Sequence, residues 1–306
     1  MEHVRIGTRS SKLALWQTNL IALALSTKYP DVKIELVHIT TKGDKILDSP
    51  LSKIGGKGLF TKEIEAAMLE GKVDLAVHSL KDVPAELPSD FTIAAVTKRA
   101  DPFDAFVSNK YKSLDELPIG AKIGTSSLRR RAQLLAIRSD LQIENLRGNV
   151  DTRLKRLDEC AFDAIILAVA GLKRLGHERR ITQILPTSLI LPAVGQGALA
   201  IETLSDNVEV IEMLRFLDDS NTRAATNAER AFLKVVEGGC QVPVGVFGNV
   251  EGNKITVEAI IASLDGCKVV RDKLIGNVED SISLGKTLAN KLLESGGREI
   301  LSAVIG

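Results

Sequence analysis

Apolar residues in this chain gather in short runs parted by polar turns, and their spacing switches between strand and helix periods. Val4-Arg5-Ile6-Gly7 predicts a first strand, and Leu13, Trp16, Leu20 and Leu23 recur on one helical face, predicting an amphipathic helix over 11–28. Pro30 ends that region, and apolar positions 32, 34, 36, 37 and 39 predict a second strand over 32–39. Strand, helix and strand in that order form the building block of a parallel sheet. Residues 40–59 break the rhythm with a polar, glycine-rich stretch that includes Gly55-Gly56-Lys57-Gly58. A segment of that length inside a compact domain is expected to be a lid or a binding loop. A helix over 61–69, the apolar run Val73-Asp74-Leu75-Ala76-Val77 and a strand over 91–96 follow.

The rhythm restarts around 97–102. Strands are predicted over 104–108, 121–124, 141–145 and 164–169, with helices over 128–137 and 150–157, so a second α/β domain of similar size is expected. The glycine-punctuated apolar segment 190–202 reads as a crossover returning to the first domain. A helix over 221–236, strands over 244–250, 255–263 and 268–275, and a helix over 281–295 make a small α+β third domain. The expected division is 1–97 with 194–217, then 98–193, then 218–306.

Composition narrows the function. With 44% hydrophobic and 26% charged residues the chain has the makeup of a soluble globular protein, and 4% aromatics leave little material for stacking on nucleic-acid bases. The net charge of +1 hides an asymmetry: residues 120–180 hold 13 Lys and Arg against 7 Asp and Glu, a local +6 that leaves −5 elsewhere. A basic middle third in a near-neutral protein points to a confined anion site rather than a nucleic-acid coat. Three widely spaced cysteines without a C-x-x-C pair exclude a disulfide framework and a zinc site and fit a reducing compartment. Neither an apolar signal core at the N-terminus nor a run of 18 apolar residues occurs, so a cytoplasmic protein without membrane contact is expected. Neither Gly55-Gly56-Lys57-Gly58 nor Gly195-Gln196-Gly197-Ala198 satisfies a phosphate-loop or dinucleotide fingerprint, and His38, His78 and His177 lack metal-ligand spacing. No metal is expected.

Three stretches carry chemistry. His78-Ser79-Leu80-Lys81-Asp82-Val83-Pro84 follows an apolar strand, and ligands of open α/β sheets sit just beyond the carboxyl ends of strands. Asp82 there suits proton transfer or the stabilisation of a cation, although an ordinary turn aspartate reads the same way. Thr125-Ser126-Ser127-Leu128-Arg129-Arg130-Arg131 places hydroxyls, backbone N–H groups and guanidiniums at a helix start, an arrangement that binds carboxylate or phosphate. A solvated basic helix face is the alternative. Arg147-Gly148-Asn149-Val150-Asp151-Thr152-Arg153 repeats the theme, and Lys173 and Arg174 follow a third strand. Cations early in a helix oppose its dipole, so Arg129, Arg130 and Arg153 make sense if an anion faces them. Gly7-Thr8-Arg9-Ser10-Ser11 gives the first domain a matching turn. In Gly238-Gly239-Cys240 the glycines leave the thiol little cover, so Cys240 is a candidate nucleophile or attachment point; Cys160 and Cys267 better fit buried small hydrophobes.

These motifs, in this order over nearly the whole chain, resemble the porphobilinogen deaminase (hydroxymethylbilane synthase) family. The anchors are Arg5-Ile6-Gly7-Thr8-Arg9-Ser10-Ser11-Lys12-Leu13-Ala14, Gly55-Gly56-Lys57-Gly58-Leu59-Phe60, the 78–84 stretch, Gly124-Thr125-Ser126-Ser127-Leu128-Arg129-Arg130, the 147–153 stretch and Gly238-Gly239-Cys240. Leu80 stands where the family often carries methionine, a volume-conserving change. The resemblance implies two type II periplasmic-binding-protein-like α/β domains around a cleft plus a small C-terminal α+β domain. It implies a transferase that deaminates and joins four porphobilinogens into hydroxymethylbilane in heme biosynthesis. The cofactor would be a dipyrromethane held covalently by a thioether on Cys240. Asp82 would be catalytic. Lys81, Ser11, Thr125, Ser126, Ser127, Arg129, Arg130 and Gly171 would bind the cofactor. Arg9, Gln17, Lys57, Phe60, Arg147, Asn149, Arg153, Ala168, Arg174 and Gln196 would bind substrate. Asp82 would then be the one carboxylate in a site otherwise lined for anions. A cytoplasmic monomer is implied, with neither nucleic acid nor membrane as partner and with uroporphyrinogen-III synthase acting on the product. A non-catalytic two-lobed carboxylate-binding protein explains the lobes and arginines but neither Asp82 nor the Gly-Gly-Cys loop, and a phosphate-utilising transferase lacks its phosphate loop.

Overall fold

The computed structural model describes residues 2–45, 58–59, 61–236 and 242–305. Among these the chain forms two compact units, Met1–Ala100 with Ala198–Arg223 and Asp101–Gly197 with Ala224–Gly306. The first unit is built on a five-stranded sheet. Strands β1 (His3–Thr8), β2 (Lys33–His38) and β3 (Leu75–Ser79) are parallel, with β1 between the other two. Beyond β3 lies β10 (Leu199–Leu204), antiparallel to β3 and to the edge strand β4 (Phe91–Val96). The segment read as a crossover therefore ends in a strand that sits inside the first sheet. Val4, Ile6, Leu75 and Val77 pack on one face against Ile21 and Leu25 of α1 (Lys12–Lys28) and Val210 and Leu214 of α7 (Val208–Leu214). On the other face Ile64 and Met68 of α3 (Lys62–Leu69) cover Val73 and Ala76. A four-residue helix, α2 (Lys42–Lys45), opens the stretch expected to be a lid, most of which lies outside the described residues.

The face that α1 buries differs from the one its apolar spacing predicts. Trp16, Leu20 and Leu23 are 39, 44 and 66% exposed, whereas Gln17, Thr18, Ile21 and Leu25 are buried. The reason is polar pairing: Thr18 Oγ1 donates to Thr8 Oγ1 at 2.8 Å and Gln17 Nε2 donates to Ser79 Oγ at 2.8 Å. A buried polar side chain that is satisfied carries no desolvation penalty large enough to turn the helix around.

The second unit contains two sheets. In the larger, β6 (Lys122–Gly124) lies parallel between β7 (Gln142–Glu144) and β8 (Ala164–Ala168), and β5 (Asp104–Val107) runs antiparallel between β8 and β9 (Gln183–Leu185). Its inner strands β5 and β8 are buried on both sides, as a doubly covered sheet requires, whereas the edge strand β7 carries exposed Gln142 and Glu144. Phe106, Ile123 and Ile166 face Leu134 of α4 (Leu128–Ile137), and Val107, Ile165 and Leu167 face Leu154 and Leu157 of α5 (Val150–Asp158). A short helix, α6 (Val169–Arg174), follows β8 directly. Strand β9 and helices α6 and α7 are too short for their periodicity to be read in the sequence.

The third sheet is an antiparallel meander of β11 (Val244–Glu251), β12 (Lys254–Ala262) and β13 (Val269–Asn277). It is covered by α8 (Ser220–Val235), α9 (Ser281–Leu292) and α10 (Arg298–Ile305) around Phe232, Val246, Val257, Ile261 and Leu288. The helix expected over 281–295 breaks at Gly296, whose φ of 106° is open to glycine but not to other residues, and a further helix follows. This sheet belongs to the same unit as the second: Val246 N donates to Pro192 O at 3.1 Å, and the buried Glu229 carboxylate accepts from Gly195 N (2.7 Å) and Gly248 N (2.8 Å). Cys160 and Cys267 are both exposed, which corrects their reading as buried hydrophobes. Cys160 ends α5 with φ of 58°, and Cys267 lies in the β12–β13 turn, positions set by backbone geometry rather than by packing. Among the described residues no helix is long and apolar enough to cross a membrane.

Gly285 of α9 lies against α8 so closely that a Cβ there would stand 2.1 Å from Ala228 O. Alanine favours a helix over glycine by about 1 kcal/mol, but overpacking against backbone costs about 1–3 kcal/mol. Gly285→Ala is therefore expected to lower stability by about 1 kcal/mol or more in urea unfolding; a stabilised variant would show that the two helices separate freely.

Candidate active site

In the first unit the parallel strands β1 and β3 end side by side, and the turns that leave them meet. Thr8 closes β1, Arg9 and Ser10 make the turn, and Ser11 caps α1 by accepting from Ala14 N at 3.3 Å. Strand β3 runs into a single 3-10 turn, Leu80–Asp82, whose Leu80 N–H donates to Ala198 O at 3.0 Å. A pocket opens here, lined by Arg9, Ser11, Leu13, Ala14, Gln17, Val77, His78, Ser79 and Asp82. It holds one carboxylate and one guanidinium. Asp82 is half-buried, and among the described residues its carboxylate has no ion-pair partner. Lys81 precedes it in the same turn and is also half-buried.

Behind this turn, buried charge accumulates. His78 Nε2 lies 2.9 Å from Glu202 Oε2 across the β3–β10 pair, both side chains nearly inaccessible, and Glu202 Oε1 is buried without a partner. Glu65 of α3 is buried in the same region. Burial raises its carboxyl above the ordinary range, the charge of Glu202 adds to the rise, and His78 opposes it. His78 is thus a hydrogen-bonded interior residue.

In the second unit the parallel strands β6, β7 and β8 end on one side, and each exit carries residues expected from the sequence to bind anions. After β6, Thr125 Oγ1 accepts from Ser127 N (3.2 Å), Ser126 Oγ donates to Leu146 O (2.9 Å), and Ser127 caps α4 by accepting from Arg130 N (3.4 Å). After β7, Arg147 is half-buried with Nη1 enclosed and unpaired, and Gly148 turns the chain at a φ of 105°. Asn149 caps α5, accepting from Thr152 N at 2.9 Å, and Arg153 Nε donates to Gly148 O at 2.8 Å. After β8, Ala168 leads into α6, which contains Gly171 and ends at Arg174. Arg174 Nη2 donates to Gly197 O at 2.7 Å, and burial pushes its guanidinium down to about 10.

Arg129 and Arg130 are buried, and the anion that faces them in the protein is Asp104. Arg129 Nη1 donates to Asp104 Oδ2 at 2.7 Å and Arg130 Nη2 to Asp104 Oδ1 at 2.6 Å, while Gln196 Nε2 donates to Oδ1 at 2.9 Å. Burial alone would raise the Asp104 carboxyl, but the two guanidiniums outweigh it and hold the group far below the ordinary carboxylate range. Asp104 is thus a second carboxylate close to the candidate arginines, fully buried and paired, that the sequence reading did not single out. The sequence signal for Asp104 was an aspartate opening the otherwise apolar strand Asp104-Ala105-Phe106-Val107. Lys57, Phe60 and Cys240 lie outside the described residues.

Family models settle what this constellation belongs to. Residues 4–212 match the model described as "Porphobilinogen deaminase, dipyromethane cofactor binding domain", and residues 224–294 match "Porphobilinogen deaminase, C-terminal domain". The chain belongs to the porphobilinogen deaminase family. A porphobilinogen deaminase of Trichlorobacter lovleyi is 52% identical over 303 residues, covering 99% of this chain and 97% of that one. One from Geobacter sulfurreducens is 52% identical over 304 residues, covering 99% and 95%. Among solved structures, the methionine-binding protein MetQ aligns at 16% identity with a TM-score of 0.46, covering 78% of this chain and 96% of that one. The strand orders β2-β1-β3-β10-β4 and β7-β6-β8-β5-β9 match position for position, each with an antiparallel strand second from one edge.

The porphobilinogen deaminase cofactor is a dipyrromethane, and the second unit fits such a group. Among the described residues, Arg129 Nε, Arg130 Nε and Arg147 Nη1 are buried donors without acceptors, which suits the carboxylates that a pyrrole of this kind carries.

The Glu65 environment makes stability depend on pH in a definite direction. A carboxyl raised in the folded state favours folding at low pH, and that contribution is lost as pH rises through the folded value. Glu65→Gln is expected to raise the thermal midpoint at pH 7 and to lose that advantage as pH falls to 4; an equal effect at both would place the Glu65 charge in solvent.

Proposed function

We propose that this chain deaminates four porphobilinogen molecules and joins them head to tail into hydroxymethylbilane, on a dipyrromethane primer that Cys240 holds through a thioether. The observation that carries the site assignment is the division of charge between the two units. Among the described residues, an Asp82 carboxylate without an ion-pair partner lines a strand-end pocket in one, and enclosed arginine donors without acceptors stand at the strand ends of the other.

Each pyrrole of the substrate bears an acetate and a propionate, so every added unit brings two negative charges. Arg129, Arg130, Arg147, Arg153 and Arg174 receive those carboxylates in the second unit, and Arg9 does so in the first. Arg174 keeps its proton at neutral pH even where burial lowers it to about 10. Ser11, Ser127 and Asn149 each cap a helix, and N-terminal N–H groups of those helices add donors for the same anions. Gln17, fixed against Ser79, and Gln196, fixed against Asp104, shape the walls. Lys57, Lys81, Phe60, Ala168 and Gly171 complete the set on the strength of the family resemblance.

Loss of ammonia from porphobilinogen leaves an electron-poor azafulvene. Bound at Cys240, the dipyrromethane supplies the pyrrole α-carbon that the substrate joins. Asp82 accepts the hydrogen bond of a pyrrole N–H and offsets the positive charge that develops there. A carboxylate already neutralised by a fixed cation would do this poorly, which is why its lack of an ion-pair partner matters. The product is consumed by uroporphyrinogen-III synthase, and the enzyme acts as a cytoplasmic monomer in tetrapyrrole synthesis.

Intact-mass measurement of the purified chain is expected to show an excess of two pyrrole units, absent from Cys240→Ser; active protein of unmodified mass would remove the primer from this reading. Asp82→Asn is expected to keep that mass excess and to turn over about 10²–10⁴-fold more slowly. Near-normal turnover would take Asp82 out of the chemistry.

A further inference from the structure

Asp104 is fully enclosed and meets two guanidiniums that are themselves more than nine-tenths buried. One carboxylate against two cations leaves this triad with a formal charge of +1. Neighbouring helical residues project about 100° apart, so Arg129 and Arg130 approach the carboxylate from different directions. Asp104 spans them with both oxygens: Oδ2 accepts from Arg129 Nη1 and Oδ1 from Arg130 Nη2. Each guanidinium has a second fixed anchor, Leu191 O at 2.7 Å for Arg129 and Ile166 O at 2.8 Å for Arg130. Gln196 in turn fixes Oδ1 from a side-chain amide held by Pro102 O at 2.7 Å. With both planes locked, Nε of each arginine is left buried and without an acceptor. A buried ion triad is a weak source of stability compared with apolar side chains of similar volume, and unsatisfied buried donors weaken it further. The arrangement suits an interior that is completed by one more anion.

We propose that Asp104 is a positioning residue for the carboxylates of primer and substrate: it sets the directions of Arg129 and Arg130 and limits their joint charge to +1. The inference rests on the reading that these arginines receive those carboxylates. Without Asp104 the two guanidiniums would repel each other and turn from their anchors; with it, one incoming carboxylate closes the charge balance.

The test uses the full-length chain prepared without porphobilinogen, then mixed with it, with growth of the two-pyrrole adduct timed by intact mass. Asp104→Asn is expected to slow loading by about tenfold or more. In an Arg130→Gln background the same substitution is expected to slow it by less than about twofold, because residues that act through one another are not additive. A merely structural aspartate would slow both backgrounds equally. If Asp104→Asn does not fold, Asp104→Glu keeps the charge but displaces the oxygens by one methylene. It is expected to load about threefold more slowly and to lose that deficit beside Arg130→Gln. Wild-type loading in whichever variant folds, or equal slowing in both backgrounds, overturns the positioning role and leaves the proposed function standing. A wild-type chain that acquires no adduct removes both.

Discussion

Parallel pairing is the constraint on which the site depends. Strands that run the same way must end on the same side, so the turns leaving β1 and β3 converge, as do those leaving β6, β7 and β8. The turns after β1, β6 and β7 then each deliver a helix start. Ser11, Ser127 and Asn149 occupy the cap position of three such helices, which makes the carboxyl edge of each sheet a place where negative charge is welcome before any arginine is counted. The arginines amplify a preference that the backbone already has.

Against that background the two units are charged for opposite tasks. The second gathers guanidiniums and, among the described residues, keeps several of their donors unspent; the first presents a carboxylate that makes no ion pair among the described residues. Chemistry that passes through a cation carried on a polyanionic chain needs both kinds of surface. Burial sharpens the division, because a charge enclosed by protein is screened far less than one in water. Asp104 belongs to the first kind of group by chemistry and to the second by place. Its neighbours, rather than its own type, decide what it does.

Much of this was legible in the sequence. The strand-turn-helix rhythm located β1, β3, β6, β7 and β8, and the residues after each strand were read as site candidates because strand ends are where such sheets bind. What the sequence hid were interactions between distant segments. The buried face of α1 is set by Thr8 and Ser79, so its own apolar spacing misled. Asp104 looked like the first residue of a strand, since its partners lie 25, 26 and 92 residues away. Glu202 lay in a segment read as a crossover, and its partner His78 is 124 residues away. The exposure of Cys160 and Cys267 follows from turns whose geometry no hydrophobicity pattern encodes.

The place of β10 has a consequence for how the protein is made. Its pairing stands between β3 and β4, yet it leaves the ribosome long after both. While about a hundred intervening residues are synthesised, at roughly 5–20 residues per second, the nascent first sheet has a gap where its fourth strand belongs. For those seconds β3 presents an open hydrogen-bonding edge and β4 has no neighbour. The first unit to begin synthesis cannot be completed until most of the larger sheet of the other has emerged. Vectorial synthesis and sheet order are out of step in this chain, and the newborn protein must spend that interval incompletely folded.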